Sequence, residues 1–183
     1  MSRSFAVLLL AFLSLVPFAG AEPLPMSPDH PNAQLIARFY TAFNAHDAKI
    51  MGACYAPDVE FSDEVFPELH GSQATGMWRM LCTQGKDLKI VASKIQANDT
   101  CGSAHWDAWY TFSTGRKVHN IVEARFTFKN GLVVRHIDSF DFWAWSRQAL
   151  GPAGTLLGWT SLLKAKVRRT AARGLEKFLA ANP

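Results

Sequence analysis

Six polar residues in the second half of the chain fall in pairs spaced by two: His105 and Asp107, Glu123 and Arg125, His136 and Asp138. Asp63 stands apart, at the end of a shorter alternating run. Carboxylates gathered in apolar surroundings have their pKa values driven apart, so that one can give a proton while another takes it. A histidine beside them can orient the pair or relay the proton. That chemistry is proton transfer or hydration, and it needs no cofactor. Two His and two Asp on neighbouring strands also offer a ligand set for zinc or another divalent ion. The same residues on an open surface would simply be solvated.

Whether they meet depends on strand register. Period-two alternation predicts strands at about 87–97, 102–113, 116–129 and 132–143, separated by Asn98-Asp99, Thr114-Gly115 and Asn130-Gly131. A two-residue Asn130-Gly131 turn pairs Lys129 with Leu132 and sets Glu123 opposite Asp138 and Arg125 opposite His136. A three-residue loop, Ser113-Thr114-Gly115, keeps β-branched Thr114 out of a positive-φ position and sets His105 opposite Glu123, with Asp107 diagonal to it. On this register all six polar residues share one sheet face. Trp106, Ala108, Tyr110, Phe112, Val122, Phe126 and Phe128 take the other, which needs a cover.

Helical spacing supplies covering elements. Leu35, Ile36, Phe39, Tyr40 and Phe43 repeat on one stripe after Pro31. Asp47 can cap a second helix over 48–55, closed by Pro57, and Val59 and Phe61 alternate as a short strand. Ala74, Met77, Trp78 and Leu81 mark a third helix ending near Gly85. Helices followed by an antiparallel meander predict an α+β fold: three N-terminal helices packed on a curved, mainly antiparallel sheet. After Gly151-Pro152-Ala153-Gly154 the spacing turns helical again, with Trp159, Leu162, Leu163, Val167, Leu175, Phe178 and Leu179.

The chain has 183 residues, 49% hydrophobic and 19% charged, which suits one domain with a true core and excludes disordered, collagen-like and coiled-coil classes. Its net charge of +4 is uneven. Residues 151–183 carry six basic residues (Lys164, Lys166, Arg168, Arg169, Arg173, Lys177) against Glu176, whereas 22–150 carry 12 basic and 14 acidic. A weakly acidic body with a basic tail argues against nucleic acid as a partner. The tail itself reads as a basic amphipathic helix, either packed on its own domain or in weak contact with an anionic membrane surface.

Arg3, the apolar run from Phe5 to Phe18 and Ala19-Gly20-Ala21 have the layout of a secretory signal cleaved near Ala21. The run falls short of the roughly 20 residues a membrane span requires. The expected organisation is a signal at 1–21, a Pro-rich linker at 22–31, a domain at 32–146 and a basic helical extension at 147–183. The mature protein would be periplasmic or secreted. Cys54, Cys82 and Cys101 are an odd set for an oxidising compartment. Cys82 and Cys101 flank a predicted strand whose roughly ten residues, at ~3.3 Å each, hold them beyond disulfide reach.

Several local patterns resemble the SnoaL-like branch of the nuclear-transport-factor-2-like superfamily, which includes ketosteroid isomerases, polyketide cyclases and limonene-epoxide hydrolases. They are Phe39 through Phe43-Asn44-Ala45-His46-Asp47, Tyr55-Ala56-Pro57-Asp58, and Asn130-Gly131 followed by His136-Ile137-Asp138-Ser139-Phe140-Asp141. The resemblance covers about residues 32–146 and implies a cone-like fold. Its concave sheet face and helices would enclose an apolar pocket, with the polar sheet face as its floor and Phe39, Phe61, Trp78, Trp109, Glu123, His136 and Phe140 around it.

The resemblance to epoxide hydrolases implies that Asp138 activates water and Asp107 protonates the substrate oxygen. His105 stands where that family has an Arg, Asp63 where it has an Asn, and Phe61 where it has a Tyr. The resemblance to ketosteroid isomerases implies that Asp63 shuttles the proton and Glu123 is the protonated acid, with Phe39 in place of the essential Tyr. The expectation is a catalytic set of Asp138, Asp107, His105 and Asp63 acting without cofactor on a small hydrophobic molecule. The alternative is a binder of such a molecule that performs no reaction. The superfamily resemblance also implies a homodimer through the outer sheet face.

Overall fold

The computed structural model describes residues 25–182, so the expected signal at 1–21 lies outside the described residues. Pro31 occupies the first turn of α1 (Pro31–Asn44), where its missing N–H costs no hydrogen bond, and His30 caps the helix by accepting from the Asn32 amide. Ile36, Phe39, Tyr40 and Phe43 form its buried stripe. Asp47 caps α2 (Ala48–Ala53) through the Ile50 amide at 2.9 Å. The helix stops two residues earlier than its apolar pattern suggests, because Tyr55 already belongs to β1 (Tyr55–Ser62). After the short β2 (Leu69–His70), α3 (Ser72–Gln84) buries Ala74, Met77 and Trp78.

The meander follows as β3 (Lys89–Ala97), β4 (Cys101–Thr111), β5 (Lys117–Lys129) and β6 (Leu132–Ser139). The six strands form one open, mixed sheet in the order β2-β1-β6-β5-β4-β3, with β1 parallel to β6 and the other pairs antiparallel. The α+β architecture expected from the sequence is therefore present. Helices α1 and α3 meet the inner sheet face over a core that includes Ile36, Phe39, Phe43, Met77, Trp106 and Phe126.

Both predicted turns form. Asn130 and Gly131 take φ of 53° and 73°, and Gly115 takes φ of 80° at the end of the three-residue loop. The β4–β5 register sets His105 opposite Glu123. The β5–β6 register departs from expectation. Lys129 pairs with Leu132 and Phe128 with Val133, but Thr127 then pairs with Arg135, so Val134 is an extra residue in β6. Beyond this bulge Glu123 lies opposite Ser139, Ala124 opposite Asp138, and Phe126 opposite His136. A one-residue shift exchanges the two faces of a strand, so His136 and Asp138 turn inward while His105, Asp107 and Glu123 remain outside.

The fourth meander strand ends at Ser139 rather than at 143, because Asp141 caps α4 (Phe142–Leu150) through the Ala144 amide. Two further helices follow, α5 (Pro152–Leu157) and α6 (Ser161–Ala181). Helix α6 packs back on α3. Leu175 is buried, Arg79 stacks over Phe178, and Gly76 leaves space for Leu179, whose methyl would clash with an added Cβ. Lys164 pairs with Glu64, and Arg168 donates to the Glu64 carbonyl at 3.0 Å. The three cysteines are free thiols, and Cys82 lies in α3 rather than beside a strand.

Candidate functional site

Between the inner sheet face, α3 and α6 lies a cavity of about 830 Å³. Its walls are mostly apolar, drawn from Trp78, Trp106, Val122, Phe140, Trp145 and Val167 among others, while Asp63, Asp138 and Tyr110 bring polar groups to it. An apolar cleft with a few convergent polar groups is the usual form of a small-molecule site.

Asp138 reaches this cavity because the β6 bulge turns it inward, where it is almost fully buried. Its Oδ1 accepts from Trp106 Nε1 at 3.2 Å and lies 3.0 Å from His136 Nε2. Behind it, Tyr55 Oη lies 2.6 Å from His136 Nδ1 and accepts from Trp78 Nε1 at 2.9 Å. Burial, aided by the charge of Asp138, holds the Tyr55 phenol well above its ordinary pKa, so it acts as a donor. One proton direction satisfies every member: Trp78 donates to Tyr55, Tyr55 to His136 Nδ1, and the proton on His136 Nε2 points at Asp138. Both bonds to Asp138 fall on Oδ1, which leaves Oδ2 for a molecule in the cavity.

Asp63 follows β1. Its Oδ1 accepts from the Val65 amide at 2.7 Å and from the Phe66 amide, closing the turn after the strand. Burial nevertheless pushes its pKa up to about 7; the two backbone bonds oppose the rise, and the charges of Asp138 and Glu64 add to it. Asp63 thus exchanges its proton near neutral pH, as an acid–base catalyst must. Tyr110 accepts from Trp145 Nε1 at 2.9 Å, and burial raises its phenol to about 12. Its own O–H is left to donate to a ligand.

The residues singled out from sequence divide into three groups. Asp63, Asp138, Trp78 and Phe140 line the cavity. Phe39, Phe61 and His136 sit behind it: His136 is fully buried, with ring centroids of Phe39 and Phe61 at 5.6 and 5.3 Å and Trp78 stacked at 5.8 Å. His105, Asp107, Trp109 and Glu123 lie on the outer sheet face, away from the cavity, because β4 and β5 keep their predicted register. There they make their own chain. His105 Nδ1 lies 2.7 Å from Glu123, its Nε2 is 3.4 Å from Asp107, and Asp107 is 2.6 Å from His119 Nε2, which stacks on Trp109.

Asp107 and Asp138, paired by the resemblance to epoxide hydrolases, therefore do not face each other; the carboxylates that share the cavity are Asp63 and Asp138. The proposed ligand set of His105, Asp107, His136 and Asp138 is split between the two faces. Among the described residues, no group of three or more His, Cys, Asp or Glu is placed to hold a metal ion. Three contributors escaped the sequence reading: Tyr55, assigned to the end of a helix, and Trp106 and Tyr110, assigned to the face opposite the polar cluster. Trp106 and Tyr110 lie on the sheet face expected for them, but the cavity opens over that apolar face and not over the polar one, and Asp138 joins them there.

The fold is shared with solved structures. An NTF2-like protein of unknown function from Burkholderia pseudomallei matches with a TM-score of 0.58 at 19% identity, over 66% of this chain and 98% of that one. An LEH-like epoxide hydrolase of Mycobacterium tuberculosis matches at 0.55 and 16% identity, over 69% and 95%. A candidate polyketide cyclase of Xanthomonas campestris matches at 0.57 and 22%, over 67% and 99%. No curated protein matches the chain. The sequence pattern of the SnoaL-like domain matches residues 36–136, more than half of the chain and nearly all of the sheet, so the protein belongs to the SnoaL-like family of the NTF2-like superfamily.

Proposed function

We propose that the protein performs cofactor-independent proton transfer or hydration on a small hydrophobic molecule held in the cavity. The observation that carries this reading is the pairing of two carboxylates in different environments at one apolar site. Asp138, anchored by Trp106 and His136, presents Oδ2 as the base; Asp63, with its pKa near 7, supplies or accepts the second proton. Tyr110 would orient a substrate oxygen. Fold neighbours that include an epoxide hydrolase and a candidate cyclase are consistent with such chemistry. The N-terminal segment leads us to propose export as well, with a mature chain beginning at Glu22.

The test is native mass spectrometry of protein purified gently from its own compartment, beside Asp138→Asn and Asp63→Asn. A co-purifying apolar compound identifies the ligand class, and incubation with fresh compound then measures turnover. Turnover by the wild type that both variants lose while still binding supports the enzyme. Binding without turnover in any of the three supports a carrier or sensor instead. The second reading has its own support in the structure, because Asp63 Oδ1 already serves the turn by bonding two backbone amides.

A further inference from the structure

The junction of α5 and α6 leaves unusually large side chains in water. Leu162 is 81% exposed, Trp159 71% and Leu156 70%, the three highest values among the exposed large hydrophobic residues, and Leu157 between them is 51% exposed. They cluster within seven residues of sequence at one apex, with half-exposed Trp143 beside them, its indole donating to the Thr155 carbonyl at 3.3 Å. The Trp159 indole N–H is satisfied by the Leu156 carbonyl at 3.1 Å, so the apolar ring is what the apex presents. Isolated exposed apolar residues are ordinary, but a contiguous group marks a binding surface.

Helix α6 continues from this apex with two unlike faces. Its inward face, including Val167, Ala171, Leu175 and Phe178, packs on the domain. Lys164 and Arg168 lean to Glu64. Leu162, Lys166, Arg169, Arg173 and Lys177 recur at three- and four-residue intervals, and all are exposed. Lys166 stands at the edge of this stripe, where it also borders the cavity, and the others follow the outward face. Among the described residues none of these four cations has an ion-pair partner, and Glu176 is the one acid on the helix. From Lys166 to Lys177 the charged stripe runs ~16 Å at the helical rise.

We propose that this surface docks the protein on an anionic lipid bilayer, with the Leu156–Trp159–Leu162 apex entering the headgroup–acyl boundary and the outward stripe of α6 lying against the phosphates. Trp and Leu beside Lys and Arg are the residue types that this boundary accepts. An anionic leaflet matches the unpaired cations, whereas a second copy would set one basic stripe against another. The contact is peripheral: among the described residues no helix is long and apolar enough to cross a membrane.

The test is flotation of the protein, as recovered from its host, with phosphatidylcholine vesicles with and without phosphatidylglycerol. Wild type is expected to float with the anionic vesicles and to be released as salt screens the surface. Leu156→Ser/Trp159→Ser/Leu162→Ser and Arg169→Glu/Arg173→Glu/Lys177→Glu should each lose about ten-fold or more in partitioning while unfolding at the wild-type temperature. Wild type that stays in solution with both vesicles would overturn the proposal, as would an apex variant that floats as well as wild type. Sedimentation velocity without lipid covers the competing occupant. A wild-type assembly that the apex substitutions dissociate would assign the patch to a second copy of the chain and also overturn it.

Discussion

Replacing Tyr55 by Phe removes one oxygen and leaves two buried groups without partners. Trp78 Nε1, which donates to that oxygen at 2.9 Å, loses its acceptor, and His136 Nδ1, 2.6 Å away, loses its donor. Trp78 and His136 are 2% and 0% exposed, so water cannot substitute without opening the core. Each unsatisfied buried polar group costs about 1–3 kcal/mol, which places the variant about 2–4 kcal/mol below wild type if the two losses partly relax together. At roughly 2–4 °C per kcal/mol for a chain of this size, thermal unfolding should fall by about 5–15 °C. Tyr40→Phe is the internal control, because the buried Tyr40 hydroxyl lies beside the Trp106 indole, which keeps Asp138 as its acceptor when the hydroxyl is removed, so the loss should stay under about 1 kcal/mol. Circular dichroism melts with matching urea titrations read both. A Tyr55→Phe melt within about 2 °C of wild type, or a Tyr40→Phe loss as large as that of Tyr55→Phe, would refute the proton chain drawn through Tyr55 and His136.

Asp63 keeps its proton in the folded protein up to about pH 7, whereas an unfolded Asp releases it near ~3.9. The folded state therefore binds more protons in between, and this contribution to stability falls as pH rises from about 4 through about 7; Asp63→Asn should flatten that slope in urea titrations across the range. Leu175→Ala, at the buried contact of α6 with α3, should cost about 2–3 kcal/mol and make α6 the first site of limited proteolysis. A homodimer through the outer sheet face, where Val91, Trp109 and Ile121 are exposed, should be split by Ile121→Lys, which sedimentation velocity would read as a fall to the monomer mass.

Much of the fold is carried by short-range chemistry and was legible in the sequence. The α1 stripe, the Asp47 cap, the Asn130-Gly131 turn and the three-residue loop at Gly115 all depend on residues within a few positions of one another. The last strand was over-extended because Phe140 and Phe142 continue the alternation. Asp141, which caps α4, is the signal that could have ended it. Trp78, a cavity residue on the continuous helix α3, was found for the same reason. Tyr55 was missed because helical and strand patterns overlap across 53–57, and its role depends on His136, 81 positions away.

By itself the sequence determined the α+β class, the order of elements from α1 through β6 apart from the two-residue β2, the chemistry available and which residues of β4 and β5 share a face. The tertiary structure decided which carboxylates meet. Residue alternation repeats every two positions, so an extra residue anywhere in β6 reverses every side chain beyond it. Val133-Val134 gives no local sign of which residue the sheet will leave unpaired; that follows from how β6 packs between β1 and β5 and beneath α1. The bulge at Val134 takes His136 and Asp138 from the solvated face to the core, separates Asp138 from Asp107 and brings it to the same cavity as Asp63.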